Sequence, residues 1–204
     1  MDYRYDVFIS YRRDPFAEEW VHDTFKQLFR THLREAVGGR PVEIFIDREG
    51  IAEGDAWPER LKNALAYSRC MVSILMPSYF HSEWCVREFA VMEHRSRQHG
   101  MWTNEEPGGL IVPICISDGQ FFPETAKNIN WLPCHDYFRV GEGFRNLGPF
   151  QDFQNDLVAW VGKVARAIDR APNWDSEWLT EEWLGNIPME HLLLSKSQIP
   201  QSKL

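Results

Sequence analysis

The chain has 204 residues, 44% apolar and 25% charged, which suits one globular domain of ordinary size with a modest extension. Its four cysteines, Cys70, Cys85, Cys115 and Cys134, form no CxxC pair and are too sparse for a disulfide-stapled scaffold, so reduced thiols in a cytoplasmic setting are expected. A net charge of -8, with arginines spread along the chain, repels a phosphate backbone and excludes nucleic acid as the expected ligand.

In chain order, the start lacks the basic and apolar blocks of a signal peptide, and no stretch reaches the roughly 18 apolar residues that span a bilayer; a soluble protein with no membrane contact is expected. Val7 Phe8 Ile9 Ser10 Tyr11 is short, β-branched and aromatic, which reads as a buried strand. From Phe16 to Val37, Trp20, Val21, Phe25, Leu28, Phe29 and Leu33 recur at helical spacing until Gly38 and Gly39 stop the helix. Val42 to Ile46 is a second strand, Asp47 to Trp57 an acidic loop with two glycines, and Pro58 to Tyr67 a helix. Cys70 to Met76 gives a third strand, closed by Pro77 and Ser78. Ser82 is the expected N-cap of a helix running to His99. A fourth strand is expected over Leu110 to Ile116 and a short fifth at Trp131 to Pro133. A final amphipathic helix over Phe150 to Ile168 is broken by Pro172.

Alternating strands and helices with continuously apolar strands imply an α/β fold: a parallel sheet of about five strands covered by helices on both faces. Ligands of such sheets meet the carboxyl ends of the strands, which points to the loops at 10–15, 47–57 and 77–82.

Several chemistries have no residues to run on. GxGxxG after the first strand, GxxxxGK[ST], HExxH and GxSxG are all missing, and Cys134 His135 has no spaced companions, so no cofactor and no metal are expected. The informative segment is Ser82 Glu83 Trp84 Cys85 Val86 Arg87 Glu88, where Trp84 and Glu88 stand one helical turn apart. That pair offers an indole for a flat base and a carboxylate for a sugar developing positive charge. The alternative for a WxxxE taken alone is a core tryptophan and a solvated glutamate.

Three segments read together resolve more. Asp6 Val7 Phe8 Ile9 Ser10 Tyr11 Arg12 Arg13, then Phe45 Ile46 Asp47 with its loop, then Ser82 to Phe89, fall in the order and spacing of a TIR (Toll/interleukin-1 receptor) domain. The chain resembles that family over about residues 4–170, and it divides into a domain at 1–171 and an extension at 172–204. The resemblance implies a flavodoxin-like sheet and either self-assembly as an adaptor or cleavage of NAD+ at its nicotinamide-ribose bond, in the manner of bacterial NAD-cleaving TIR proteins. It implies Glu88 as the catalytic residue and Trp84, Ser10, Arg12, Arg13 and Asp47 around the substrate. Gly54 and Trp57 match a loop glycine and the aromatic that follows it, with the aromatic one place later. Homo-oligomerisation through TIR–TIR contacts, a loop at 47–57 that gates the pocket, and an immune, anti-phage role with a separate effector sensing the product are implied in the same way.

The chemistry follows from the residues too. Nicotinamide leaves as a neutral group and needs no acid, so one carboxylate suffices. Arg12 or Arg13 would pair with a pyrophosphate; the alternative for either is a surface ion pair with Asp14 or Glu18. Whether water or adenine captures the ribosyl cation, giving ADP-ribose or a cyclic isomer, is left open by the residues. A flavin protein is disfavoured because the first strand ends in Arg12 Arg13 without a phosphate-binding loop. In the extension, residues 173–184 are expected as one acidic helix with Trp174 and Trp178 aligned and its tryptophans packed back on the domain. A docking strip for a partner is the alternative, and 195–204 reads as a flexible tail.

Overall fold

In the computed structural model, which describes residues 2–47, 58–117 and 119–194, β1 (Tyr5–Tyr11) is buried from Asp6 onward. It lies between β2 (Ile44–Ile46) and β3 (Ser68–Leu75); β4 (Ile114–Cys115) and β5 (Leu132–Pro133) complete a sheet of order β2-β1-β3-β4-β5 with every pairing parallel. Strands covered on both faces have no use for alternation, which is why β1 and β3 are mostly apolar and show no regular polar alternation.

The first crossover, from β1 to β2, runs through α1 (Pro15–Glu19), a π-helical turn at Trp20–Phe25, and α2 (Lys26–Ala36). The single amphipathic helix expected here is therefore widened in its middle. In a π turn residues five apart come into line, and the Trp20 and Phe25 rings do stack, with centroids 5.5 Å apart and planes 7° off parallel. The next crossover, through α3 (Glu59–Ala66), moves the other way along the sheet to β3. Right-handed crossovers in opposite directions put α2 and α3 on opposite faces. The third, from β3 to β4, carries α4 (Glu83–Gln98) on the α3 side. A short α5 (Glu124–Lys127) precedes β5, and α6 (Gly148–Arg170) returns to pack against α2, with Phe29 and Trp160 at 5.9 Å.

Two further expectations change. The fourth strand is a regular ladder only at Ile114–Cys115, with an isolated bridge from Met71 to Ile111, because Pro113 between them has no N–H to give. The extension is not one helix but a 3-10 turn at Ser176–Leu179 followed by α7 (Glu181–Gly185). Thr180 separates them: its hydroxyl donates to the Glu177 carbonyl (2.8 Å) and accepts from the Trp183 N–H (3.2 Å), local bonds that compete with helix continuation.

The tryptophans do pack back. Trp174 stacks on Tyr67 (5.0 Å, 3°), Trp178 lies against the fully buried Arg95 guanidinium (3.9 Å to the ring centre), and the Trp183 indole N–H donates to Gln98 (3.2 Å). His191 meets Glu93 at 2.9 Å and the Leu194 N–H donates to the Phe80 carbonyl at 3.3 Å. The extension thus runs as a strap over α3 and α4. No helix among the described residues is long and apolar enough to cross a membrane.

Candidate active site

The strand order reverses between β1 and β3, and at such a switch point the chain leaves the two strands in opposite directions and opens a crevice beyond their carboxyl ends. A cavity of about 150 Å³ lies there, lined by Ser10, Arg12, Arg13, Asp47, Trp84 and Glu88, with Leu61 and Cys85 behind them. Six of the seven residues singled out from the sequence thus come together; the seventh, Trp57, lies outside the described residues. A larger cavity, about 250 Å³, lies on the amino side of β4 between Glu105, Glu106 and the α6 cations Lys163, Arg166 and Arg170. It contains none of the candidate residues, and two of its opposed charges, Arg170 and Glu106, are already paired with each other.

Each side chain is delivered by a short piece of local structure. Ser10 is the penultimate residue of β1, Arg12 and Arg13 begin the loop that Asp14 ends by capping α1, and Asp47 follows β2 directly. Ser82 caps α4 as expected, its hydroxyl accepting from the Cys85 N–H, and so fixes where the helix starts. Trp84 and Glu88 then project one turn apart into the same cavity.

Glu88 is only 7% exposed. Burial raises its carboxyl to about 8; Asp47 adds to the rise, while the Ser10 hydrogen bond and Arg13 oppose it. Ser10 Oγ donates to Glu88 Oε2 at 2.5 Å and lies 2.7 Å from the hydroxyl of Tyr79, which is wholly buried. The Ser10 hydroxyl therefore faces the glutamate, a partner 78 positions away in the chain. Arg13 pairs with Asp47 at 3.2 Å, not with Asp14 or Glu18, and Arg60 from α3 holds the other Asp47 oxygen. Tyr11, at the rim, is pushed up to about 12 by burial and stays neutral.

Tyr79 and Arg60 are the site residues that the sequence reading passed over. Tyr79 sits in a 3-10 turn at Pro77–His81, and the only cue is that it directly follows the Pro77 Ser78 strand stop. Nothing local marks Arg60. Burial raises the thiols of Cys70, Cys85 and Cys134 far above the usual range, so none is available as a thiolate. Among the described residues, no group of three or more His, Cys, Asp or Glu side chains is placed to hold a metal.

A parallel five-strand sheet with an acid-bearing pocket at its switch point defines a doubly wound α/β protein with a candidate site at the usual place for that fold. The chain matches the family model for the TIR domain over residues 7–147, and it belongs to that family. It is 28% identical over 168 residues to "Probable 2' cyclic ADP-D-ribose synthase BdTIR" of Brachypodium distachyon, covering 81% of this chain and 68% of that protein. Among solved structures, the TIR domains of the activated Roq1 resistosome that recognises the effector XopQ are 22% identical (TM-score 0.40; 79% of this chain, 84% of that one). The TIR domain of the Toll-related receptor TRR-2 from Hydra magnipapillata is 17% identical (TM-score 0.43; 75% and 98%).

Proposed function

We propose that the chain cleaves NAD+ at the bond between nicotinamide and ribose, giving nicotinamide and ADP-ribose or a cyclic isomer of it. The observation that carries this reading is the buried Glu88 carboxyl sharing one cavity with Trp84. The synthase name of the Brachypodium relative and membership of the TIR family support it.

Nicotinamide in NAD+ is a pyridinium, so its departure as a neutral ring leaves positive charge on the ribose and asks for no proton donor. Glu88 as a carboxylate stabilises that charge from a site where water is largely excluded, and Trp84 gives the base a flat wall. A cavity of about 150 Å³ is smaller than the roughly 300–1,000 Å³ of a pocket that encloses a whole ligand. It therefore takes the nicotinamide and its ribose, while the pyrophosphate crosses the rim at Arg12 and Arg13. The rest of the dinucleotide is covered by TIR–TIR contacts in a homo-oligomer. The ribosyl cation is captured by water or by adenine, and the product serves as an immune signal, including in anti-phage defence, read by a separate effector.

Glu88 has to be ionised to act, and its free-state value of about 8 means that kcat/KM climbs with pH from 6 to about 8. The reading is tested by incubating concentrated protein with NAD+ and following nicotinamide. Glu88→Ala and Glu88→Gln should each lower release by at least about 100-fold, the loss expected for a principal electrostatic group. Either variant turning over like the parent overturns the assignment. An adaptor that only assembles has no use for a buried carboxyl facing a cavity that it shares with an indole; robust oligomers that never release nicotinamide would be its signature.

A further inference from the structure

Tyr79 does not line the cavity, yet its hydroxyl is wholly buried, 2.7 Å from Ser10 Oγ, among aromatic rings that include Phe80 (5.2 Å) and Phe89 (6.5 Å). Packing there would be served as well by phenylalanine; a buried hydroxyl is kept only where it finds a partner. The Ser10 hydroxyl has one proton and gives it to Glu88 Oε2. With Glu88 ionised, and so an acceptor only, the proton in the Tyr79–Ser10 bond comes from the tyrosine and the chain runs one way: Tyr79 O–H to Ser10 Oγ, Ser10 O–H to Glu88. Both links strengthen when the last acceptor is charged, because each donor polarises the next.

We propose that Tyr79, acting through Ser10, is a positioning residue that fixes the Glu88 carboxyl against β1 and favours its ionised form. The other groups around that carboxyl are Tyr11 at the end of β1, Arg12 and Arg13 after it, Asp47 after β2, Leu61 from α3, and Trp84 and Cys85 from α4 itself. Asp47 and burial work against ionisation; Arg13 works for it. The tyrosine chain also works for it, at no cost in charge and with Tyr79 itself outside the cavity.

The kinetic part of the test rests on the NAD-cleaving reading; the titration does not. The Glu88 carboxyl is followed by 13C NMR in the ligand-free full chain, assigned with Glu88→Gln. Tyr79→Phe should move its titration up by about 0.4–1 pH unit, the equivalent of one lost hydrogen bond. In the same variant the acid limb of nicotinamide release moves up equally, a loss of about 2.5–10-fold at pH 7, with KM unchanged because Tyr79 stays clear of the cavity. A titration that coincides with the parent's overturns the proposal, whatever happens to rate. If Tyr79→Phe does not fold, Ser10→Ala breaks the same chain at its centre and must shift the titration at least as far, or the proposal fails. A parent that releases no nicotinamide removes the NAD reading and leaves the titration to decide on the chain.

Discussion

Glu88 is asked to be charged in a place that resists charge. Burial holds its proton to about pH 8, well above the ordinary carboxylate value of 4.5, and this has a consequence for stability as well as rate. Because the folded-state value lies above the unfolded one, the group's contribution is fully present below about pH 4.5 and is lost as pH rises through about 8. Glu88→Gln removes that dependence. In thermal melts it should therefore be more stable than the parent at pH 9, by roughly 2–4 °C for each kcal/mol recovered in a domain of this size, and the gap should close by pH 5. Equal offsets at both pH values would mean that the carboxyl is ionised in the folded chain throughout. The sequence made Glu88 and Trp84 legible through their spacing and the family resemblance. It could not show the Tyr79–Ser10–Glu88 chain, because its members come from three elements, and a turn tyrosine has no pattern that separates it from a packing residue.

Elements were legible in proportion to how far their burial is local. β1, β3 and α4 follow directly from mostly apolar runs, a Ser82 cap and helical spacing. The π turn was hidden because its widening changes which rings stack, not which residues are apolar. The split in the extension turned on the bonds of one threonine side chain. The extension's energetic weight lies in Trp178, 3% exposed, set against an Arg95 guanidinium that bonds the Leu65 and Ser68 carbonyls and the Tyr3 hydroxyl. Trp178→Ala empties a large buried volume and uncovers that cation, and should cost about 3–5 kcal/mol in denaturant unfolding. Trp178→Phe should lose far less, since it keeps most of the filling; a loss below about 1 kcal/mol for the alanine variant would place the ring in a loosely held surface site.

At the scale of the molecule, the strap ties its own helices together: Trp174 on Tyr67, Lys62 to Glu181 (2.5 Å), Trp183 on Gln98 and Leu194 on Phe80. Deleting residues 172–204 exposes Tyr67, Arg95 and the outer side of α4 at once. Against a total of about 5–15 kcal/mol for a native domain, that loss should lower the melting temperature by more than about 10 °C or prevent recovery of folded protein. A truncated chain that melts with the full one would make the strap a passenger.

The sheet also constrains how copies of this chain meet. Its two rims are its short outer strands, three residues in β2 and two in β5, the latter ending in Pro133. Such rims offer too few free backbone groups to template another strand. Any contact between copies would then be built from side chains on helices and loops, and so would respond to salt and to single charge reversals in a way that backbone ladders do not.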